Sequence, residues 1–302
     1  MPTTNSILTI GSVALDSLEI KGKQHTDILG GSATYFTLIA SIYAPILLSA
    51  VVGKDFSSDH IKLFKSRNIN LDNFEILNGK TFRWGGKYSA DLNYRETRFT
   101  DLGVFEHFQP NILNGFDYTG IVFLANIQPK LQLSVIEQLS TSNTIITDTM
   151  NLWIDLYPEL LWKVIEKTNI FLLNDEEAIQ LTGTQNLDLA SEKLLSSGPT
   201  CVIIKKGADG CILRTNELTI NIPVYNNIIA KDPTGAGDSF AGGFAGFLAQ
   251  NGIGYLIDAA IHGTAAASFT VSEIGVKGTL RANRKTIDQR YYDIKNRMEI
   301  SV

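Results

Sequence analysis

The sequence predicts an α/β protein with a mainly parallel sheet that helices cover on both faces. Short, continuous apolar runs alternate with longer segments of helical character, which is the pattern of strands buried on both faces of a parallel sheet. The chain has 302 residues, of which 44% are hydrophobic and 19% are charged. This length is sufficient for one large α/β domain, with or without a small insertion.

The predicted elements follow one another in regular alternation. Pro45 ends the first helix and Pro129 begins the third, because proline lacks the N–H group that a helix interior requires. The predicted parallel strands are 7–11, 46–52, 121–125, 144–147 and 170–173. The predicted helices are 32–44, 58–67, a segment from 129 onward, 243–250, 256–269 and 283–296.

Two regions depart from this alternation. The short runs 201–205, 211–214 and 218–222 are separated by turn residues and predict an antiparallel meander at the sheet edge. The segment 80–100 is polar and strand-like, with several aromatic residues, and is incompatible with a central parallel strand. We predict that it forms a hairpin that projects from the core as a lid.

Composition and charge exclude several classes of protein. A net charge of −5 without a basic run argues against nucleic-acid binding. Cys201 and Cys211 lie in apolar strand-like segments and are predicted to be buried free thiols. The four histidines lack metal-ligand spacing, so no zinc site is expected.

The uncharged stretch 30–53 is long enough to span a bilayer, but its polar residues and Pro45 favour a buried helix, a turn and a strand. Residues 1–12 lack the basic and apolar regions of a secretory signal. We therefore expect no membrane partner and a cytoplasmic location.

The most informative motif is D-P-T-G-A-G-D-S-F-A-G-G at 232–243. The N–H groups at a helix N-terminus bind anions, and Gly235, Ala236 and Gly237 let a ligand approach them closely. A carboxylate at such a site, Asp238, can accept a proton from a hydroxyl group while the N–H groups stabilise the transferred group. This combination is suited to phosphoryl transfer.

Two other interpretations of this motif stay open. A dinucleotide-binding G-x-G-x-x-G is disfavoured because Phe240 occupies the third glycine position and no apolar strand precedes the motif. A glycine-rich turn with an ordinary helix N-terminal aspartate is the other interpretation.

Together with further motifs, this stretch resembles the ribokinase-like (phosphofructokinase-B) family of small-molecule kinases. The motifs occur in the family's order between about residues 7 and 274. They are G-S-V-A-L-D at 11–16, G-G at 30–31, N-D-E-E at 174–177, K-K-G-A-D-G at 205–210 and the motif that ends at Asp238. The resemblance implies a single kinase domain over 1–302, a three-layer α/β/α sandwich with a small β lid from segments of about 14–28 and 80–102.

The resemblance also implies the activity and its residues. The expected reaction transfers the γ-phosphoryl group of ATP to a hydroxyl group of a sugar, polyol or nucleoside. Asp238 is the expected general base, and Gly235, Ala236 and Gly237 form the anion hole. The other implied residues are Asp16, Gly30 and Gly31 for substrate, Lys205, Gly207, Gly210 and Thr234 for nucleotide, and Asn174 and Glu177 for Mg²⁺ through water.

Several of these roles have a plainer alternative. Asn174 and Glu177 have the spacing of a helix capping box, and Asp16, Gly207 and Gly210 are also residues typical of turns. Arg83, Trp84 and Arg95 are either lid contacts to substrate or ordinary strand surface. A non-catalytic nucleotide- or sugar-binding regulator on the same fold is the alternative function.

Three further expectations accompany the resemblance. Tyr35 stands where the family often has a substrate-binding Asn, so that role is not carried over. Asp232 and Thr234 are candidates for binding a monovalent cation. The aromatic residues of the lid favour a substrate with a flat ring, and the lid is a candidate surface for a homodimer.

Overall fold

The computed structural model describes residues 6–92, 94–110, 112, 120–139 and 142–300 of the chain. The strands of this part are β1 (Ile7–Ile10), β2 (Ala14–Ile20), β3 (Lys23–Gly30), β4 (Ile46–Gly53), β5 (Ile69–Asn70), β6 (Phe74–Leu77), β7 (Phe82–Tyr88), β8 (Arg95–Asp101), β9 (Ile121–Leu124), β10 (Thr144–Asp148), β11 (Ile170–Asn174), β12 (Cys201–Lys205), β13 (Cys211–Thr215) and β14 (Thr219–Ile222). The helices are α1 (Ser32–Ala40), α2 (Ser58–Ser66), α3 (Pro129–Ile136), α4 (Asn151–Leu156), α5 (Pro158–Glu166), α6 (Asp175–Thr182), α7 (Leu187–Leu195), α8 (Ala236–Asn251), α9 (Leu256–Thr270), α10 (Lys277–Arg281) and α11 (Arg284–Ile300).

The large sheet has the strand order β14-β13-β12-β11-β10-β9-β1-β4-β5, and β6 pairs with the far half of β4. The pairs from β12 to β5 are parallel, whereas β13 and β14 are antiparallel additions. The predicted class and the predicted edge meander are therefore confirmed. The short strands β5 and β6 were not predicted, because runs of two and four residues carry little periodicity.

Alternate residues of each parallel strand face opposite helix layers. Leu172 packs in the same cluster as α1, α8 and α9, whereas its neighbour Phe171 packs against α5, α6 and α7. The Phe36 ring of α1 stacks on Phe123 of β9 with 3.8 Å between ring centroids. Strands buried on both faces in this way have continuous apolar sequences.

Two predicted helix boundaries differ from the structure. The first helix ends at Ala40 instead of Ala44, because residues 41–44 form turns before Pro45, which disfavours helical backbone in the preceding residue. The helix predicted over 243–250 is the second half of a longer helix that begins at Ala236, where the glycine motif predicts a helix N-terminus. The apolar pattern of this helix therefore begins within the glycine motif itself.

A second sheet, called the small sheet below, has the strand order β3-β2-β7-β8. It contains the two segments that the resemblance assigns to a lid. β2 is parallel to β7, and the other two pairs are antiparallel. Arg83 in this sheet forms ion pairs with Asp27 of β3 and with Asp55, and the second pair joins the small sheet to the loop after β4.

None of the helices in the described residues is long and apolar enough to cross a lipid bilayer.

Candidate active site

Polar side chains gather at the carboxyl ends of three adjacent parallel strands. Asp148 is the last residue of β10, Asn174 is the last of β11 and Lys205 is the last of β12. Lys205 Nζ lies 2.7 Å from Asp148 Oδ2, and both side chains are largely buried. In open α/β sheets, this edge is where ligands bind.

The glycine motif brings a helix N-terminus to the same edge. Gly235 precedes α8 with a φ of 75°, a conformation that favours glycine, and Asp238 lies in the first turn. A Cβ on Gly237 would lie 3.1 Å from Lys205 Nζ, so the ammonium group sits beside this turn. The N–H groups of a first turn lack partners within the helix. The site therefore combines a helix N-terminus, the Lys205 ammonium group and the Asp148 and Asp238 carboxylates.

The Asp238 carboxylate has an unusual protonation equilibrium. Desolvation and the charge of Asp148 raise its pKa to about 7, although Lys205 acts in the opposite direction. Burial would lower the pKa of Lys205, but Asp148, Glu177 and Asp238 together raise it above its usual value. A carboxylate that titrates near neutral pH can both accept and release a proton under working conditions.

Asn174 and Glu177 form a complete capping box at the start of α6. Glu177 N donates to Asn174 Oδ1 at 2.7 Å, and Asn174 N donates to Glu177 Oε2 at 2.8 Å. Desolvation is the largest cause that raises the pKa of Glu177 to about 7, and Asp148 adds to it. The capping role of this pair is therefore present, and the box uses one of the two Glu177 carboxylate oxygens.

Asp16 lies on the small sheet and faces this site. Desolvation, followed by the charges of Asp232 and Asp238, raises its pKa to about 8, although the Gly31 N–H group donates to it. A Cβ on Gly30 would lie 1.9 Å from Asp16 Oδ2, and Gly31 has a φ of 91°. The two glycines thus allow the backbone to close around the Asp16 carboxylate.

The four nucleotide candidates occupy different surroundings. A Cβ on Gly210 would lie 2.0 Å from the Ile222 carbonyl oxygen, whereas one on Gly207 would meet nothing within 4 Å. Gly210 is therefore required by the meander, and Gly207 faces open space. Thr234 Oγ1 lies 2.9 Å from the Tyr88 hydroxyl group of the small sheet, and Lys205 belongs to the cluster described above.

Asp232 and Tyr35 hold the turn of the glycine motif in place, Asp232 through hydrogen bonds and Tyr35 through packing. The two Asp232 carboxylate oxygens accept the N–H groups of Thr234 at 2.9 Å and Gly275 at 2.8 Å. The Tyr35 ring is buried, and a Cβ on Gly235 would lie 2.3 Å from it. Tyr35 therefore packs directly against the turn that precedes Asp238.

Sequence reasoning missed Asp148. It is the first charged residue after the apolar run 144–147, and this position at the end of a parallel strand is the signal that could have identified it. Its partner Lys205 lies 57 residues away in the sequence. Only the adjacency of β10, β11 and β12 brings the two together.

The donor set is compatible with a magnesium ion held largely through water. Mg²⁺ prefers oxygen ligands, keeps several waters and takes few protein carboxylates. Asp148 and Glu177 supply carboxylate oxygens at this edge, at the end of β10 and in the first turn of α6. In the described part of the chain, no group of three acidic, histidine or cysteine side chains has the arrangement of a direct metal site.

A family of kinases that act on small molecules matches most of the chain. Residues 6–283 match the pfkB family carbohydrate kinase, and the chain belongs to this family. The resemblance drawn from the sequence is confirmed, and the protein is a phosphotransferase that acts on a hydroxyl group of a sugar or nucleoside.

Among its relatives, a cytidine kinase of Thermococcus kodakarensis is 25% identical over 79% of this chain and 86% of that protein. A nucleoside kinase of Methanocaldococcus jannaschii is 26% identical over 80% of this chain and 78% of that protein. The solved structure of Burkholderia thailandensis nucleoside kinase in complex with inosine has a TM-score of 0.83 at 17% identity, over 96% of this chain and 98% of that one. This structural likeness confirms the fold.

Proposed function

We propose that the protein transfers the γ-phosphoryl group of ATP to a hydroxyl group of a nucleoside, with Asp238 as the general base. The observation that carries the proposal is the position of Asp238 in the first turn of α8, beside Lys205 and within electrostatic reach of Asp16. The two relatives that match about four fifths of the chain are a cytidine kinase and a nucleoside kinase, which supports a nucleoside over a simple sugar or polyol.

Each residue of the site has a defined task in this proposal. Asp16 and the backbone at Gly30 and Gly31 hold hydroxyl groups of the sugar. Asp238 accepts the proton of the hydroxyl group that attacks the γ-phosphorus, and the bond between that phosphorus and the bridging oxygen of ADP breaks as the new bond forms. The N–H groups of the Gly235–Gly237 turn stabilise the charge on the transferred group.

The nucleotide lies on the other side of the same turn. Lys205 supplies a positive charge next to the phosphates, Gly207 lets the nucleotide approach the backbone, and Thr234 contributes its hydroxyl group. Asn174, Glu177 and Asp148 would hold Mg²⁺ through its water shell, and the ion would neutralise the phosphate oxygens during transfer. A monovalent cation near Asp232 and Thr234 stays a prediction.

The test is ADP release from Mg·ATP with a panel of nucleosides, sugars and polyols. We expect turnover with nucleosides, and Asp238→Asn should reduce it by at least about a hundredfold, since general bases contribute on that order. The same variant should still show nucleoside- and ATP-dependent increases in melting temperature. Asp59→Asn is the matched control, because Asp59 also lies in the first turn of a helix but on an exposed surface.

Three results would overturn the proposal. Stabilisation by ligands without any ADP release would indicate the non-catalytic regulator. Stabilisation by NAD alone would favour the dinucleotide-binding interpretation. Equal activity of Asp238→Asn and the wild type would limit Asp238 to a helix-terminal role.

We also propose that the small sheet forms a dimer through its outer edge. Tyr94 is 68% exposed and Phe99 is 45% exposed on this edge. Tyr94→Glu should shift the sedimentation coefficient from that of a dimer to that of a monomer. Tyr292→Glu, at a 60% exposed position on α11, should leave it unchanged. A wild-type protein that sediments as a monomer would contradict this proposal.

A further inference from the structure

The inner face of the small sheet places an aromatic ring next to the sugar-binding carboxylate. Asp16 of β2 pairs with Trp84 of β7 in the parallel register, so the two side chains leave the same face of adjacent strands. Such strands are about 4.8 Å apart. The same face carries Tyr88, which reaches Thr234 next to the glycine motif. If Asp16 binds the sugar of a substrate, a group attached to that sugar therefore lies next to the Trp84 indole.

The Trp84 indole packs on its own strand at Gly86. A Cβ on Gly86 would lie 2.1 Å from the indole ring, so the ring occupies the space that a side chain at position 86 would fill. The indole is half-buried, so part of its surface is open to a ligand.

A guanidinium group lies over the Trp84 ring. Arg95 of β8 is opposite Tyr88, and its Cζ lies 5.2 Å from the centroid of the Trp84 ring. Arg83 pairs with Asp27 and Asp55, and Arg98 pairs with Glu96, but Arg95 has no ion pair with any described residue. Its side chain is exposed, and its charge acts on the Asp16 and Asp238 carboxylates.

Resting on the function proposed above, we propose that Trp84 and Arg95 form a slot that binds the planar base of the nucleoside. A base between the indole and the guanidinium needs a spacing of roughly 7 Å, twice the van der Waals separation of roughly 3.5 Å. Arg95 must therefore rise by roughly 2 Å from its present position, which its unpaired, exposed side chain permits. The base then stacks on the indole and receives the cation on its other face.

The proposed slot also predicts which hydrogen-bonding groups on a base increase its affinity. A guanidinium group has five N–H donors and no acceptor. Where Arg95 reaches the edge of the base, it therefore favours carbonyl and ring-nitrogen acceptors. A sugar or polyol has no base, so Trp84 and Arg95 do not increase its affinity.

The experiment compares a nucleoside with free ribose in two measurements on the full-length protein. The first is KM in the ADP-release assay, and the second is tryptophan fluorescence during titration with cytidine, inosine or ribose. We expect the nucleosides, and not ribose, to quench fluorescence. The chain has three tryptophans, and Trp84→Phe should remove this quenching, whereas Trp162→Phe should retain it.

Kinetic variants give the second readout. Trp84→Leu and Arg95→Met should each raise KM for the nucleoside about tenfold or more, in the range of base–aromatic stacking. Neither should change KM for any ribose turnover that is measurable. Arg98→Met is the matched control on the same strand and should resemble the wild type.

The outcomes separate this inference from the proposed function. If nucleosides are phosphorylated but Trp84→Leu and Arg95→Met retain the wild-type KM, the slot is wrong and the nucleoside kinase stands. If nucleosides quench Trp84 without ADP release, the slot stands and the kinase proposal fails. Equal increases in KM for nucleosides and ribose would reduce Trp84 to a structural residue of the sheet and overturn the slot.

Discussion

At the scale of single residues, the charges around Asp238 decide when the site can act. Desolvation is the largest cause of the raised pKa of Asp238 and Asp148 adds to it, whereas Lys205, the Asp238 backbone N–H group and Arg95 oppose it. A general base works only in its ionised form. Two of the side chains that shift this pKa, Asp148 and Lys205, are themselves joined by an ion pair.

The first prediction is a pH dependence of kcat/KM for Mg·ATP, which reports the enzyme before ATP binds. We expect kcat/KM to fall as the pH drops through about 7, the pKa of Asp238. Asp148→Asn should move this transition to lower pH, because it removes a like charge and frees Lys205 to approach Asp238. Initial rates over a pH series check both points, and an unchanged or higher transition in the variant would contradict the explanation.

The second prediction concerns Gly207 and Gly210, two glycines of the same turn whose replacement by alanine should reduce stability to different extents. Gly207→Ala should cost roughly 1 kcal/mol, since its φ of 52° is strained for alanine but the space is open. Gly210→Ala should cost roughly 3 kcal/mol or more, because its Cβ would collide with the Ile222 carbonyl group. Urea unfolding measures both. A Gly207→Ala variant that raises KM for ATP at nearly normal stability would support its nucleotide role.

At the scale of elements, α6 combines a capping box with the proposed magnesium site, and the two roles can be separated. Glu177→Gln keeps an acceptor for the Asn174 N–H group but removes the charge. We expect normal or higher stability and a higher Mg²⁺ concentration for half-maximal activity. Activity titrated with Mg²⁺ and thermal unfolding test this third prediction, and an unchanged Mg²⁺ requirement would restrict Glu177 to capping.

Asn174→Ala provides the complementary variant. It should cost about 1 kcal/mol through the lost cap, as should Asn186→Ala, since Asn186 caps α7 in the same way outside the strand-end cluster. Only Asn174→Ala should also reduce activity. Equal activity of the two variants at matched stability would remove Asn174 from the site.

The elements differ in how far the sequence predicts them. The parallel strands and the start of the glycine motif depend on local apolar runs and on a few residues with special backbone freedom, so they were identified. The pairing of β2 with β7 joins segments about sixty residues apart, and its register places Trp84 beside Asp16. The contact of Asp148 with Lys205 likewise depends on strand order, which no local pattern specifies.

At the scale of the whole molecule, the buried carboxylates of the site lower the free energy of unfolding as the pH rises. Asp16 has a folded-state pKa of about 8 against an ordinary value of 3.8. Between these values the folded state binds more protons than the unfolded state, so the stability of the protein decreases as the pH rises. Glu177 and Asp238 act in the same direction up to about pH 7.

The fourth prediction uses Asp16→Asn to isolate this contribution. The melting temperature of the variant should exceed that of the wild type by a margin that grows from about pH 5 to about pH 8 and reaches a few degrees. Calorimetry without ligands measures the difference. A margin that shrinks as the pH rises would show that the Asp16 carboxylate is stabilised, not destabilised, by its surroundings.

The small sheet is built from two stretches of chain, 14–30 and 82–101, with β2 and β7 side by side at its centre. Asp16 on one stretch and Trp84 on the other lie in the same row. Grafting a single loop from a relative would therefore replace only half of the surface that faces the substrate. An engineered change of substrate preference would need both stretches exchanged as a matched pair, and homologous recombination with one crossover between them would produce chimeras with mismatched halves.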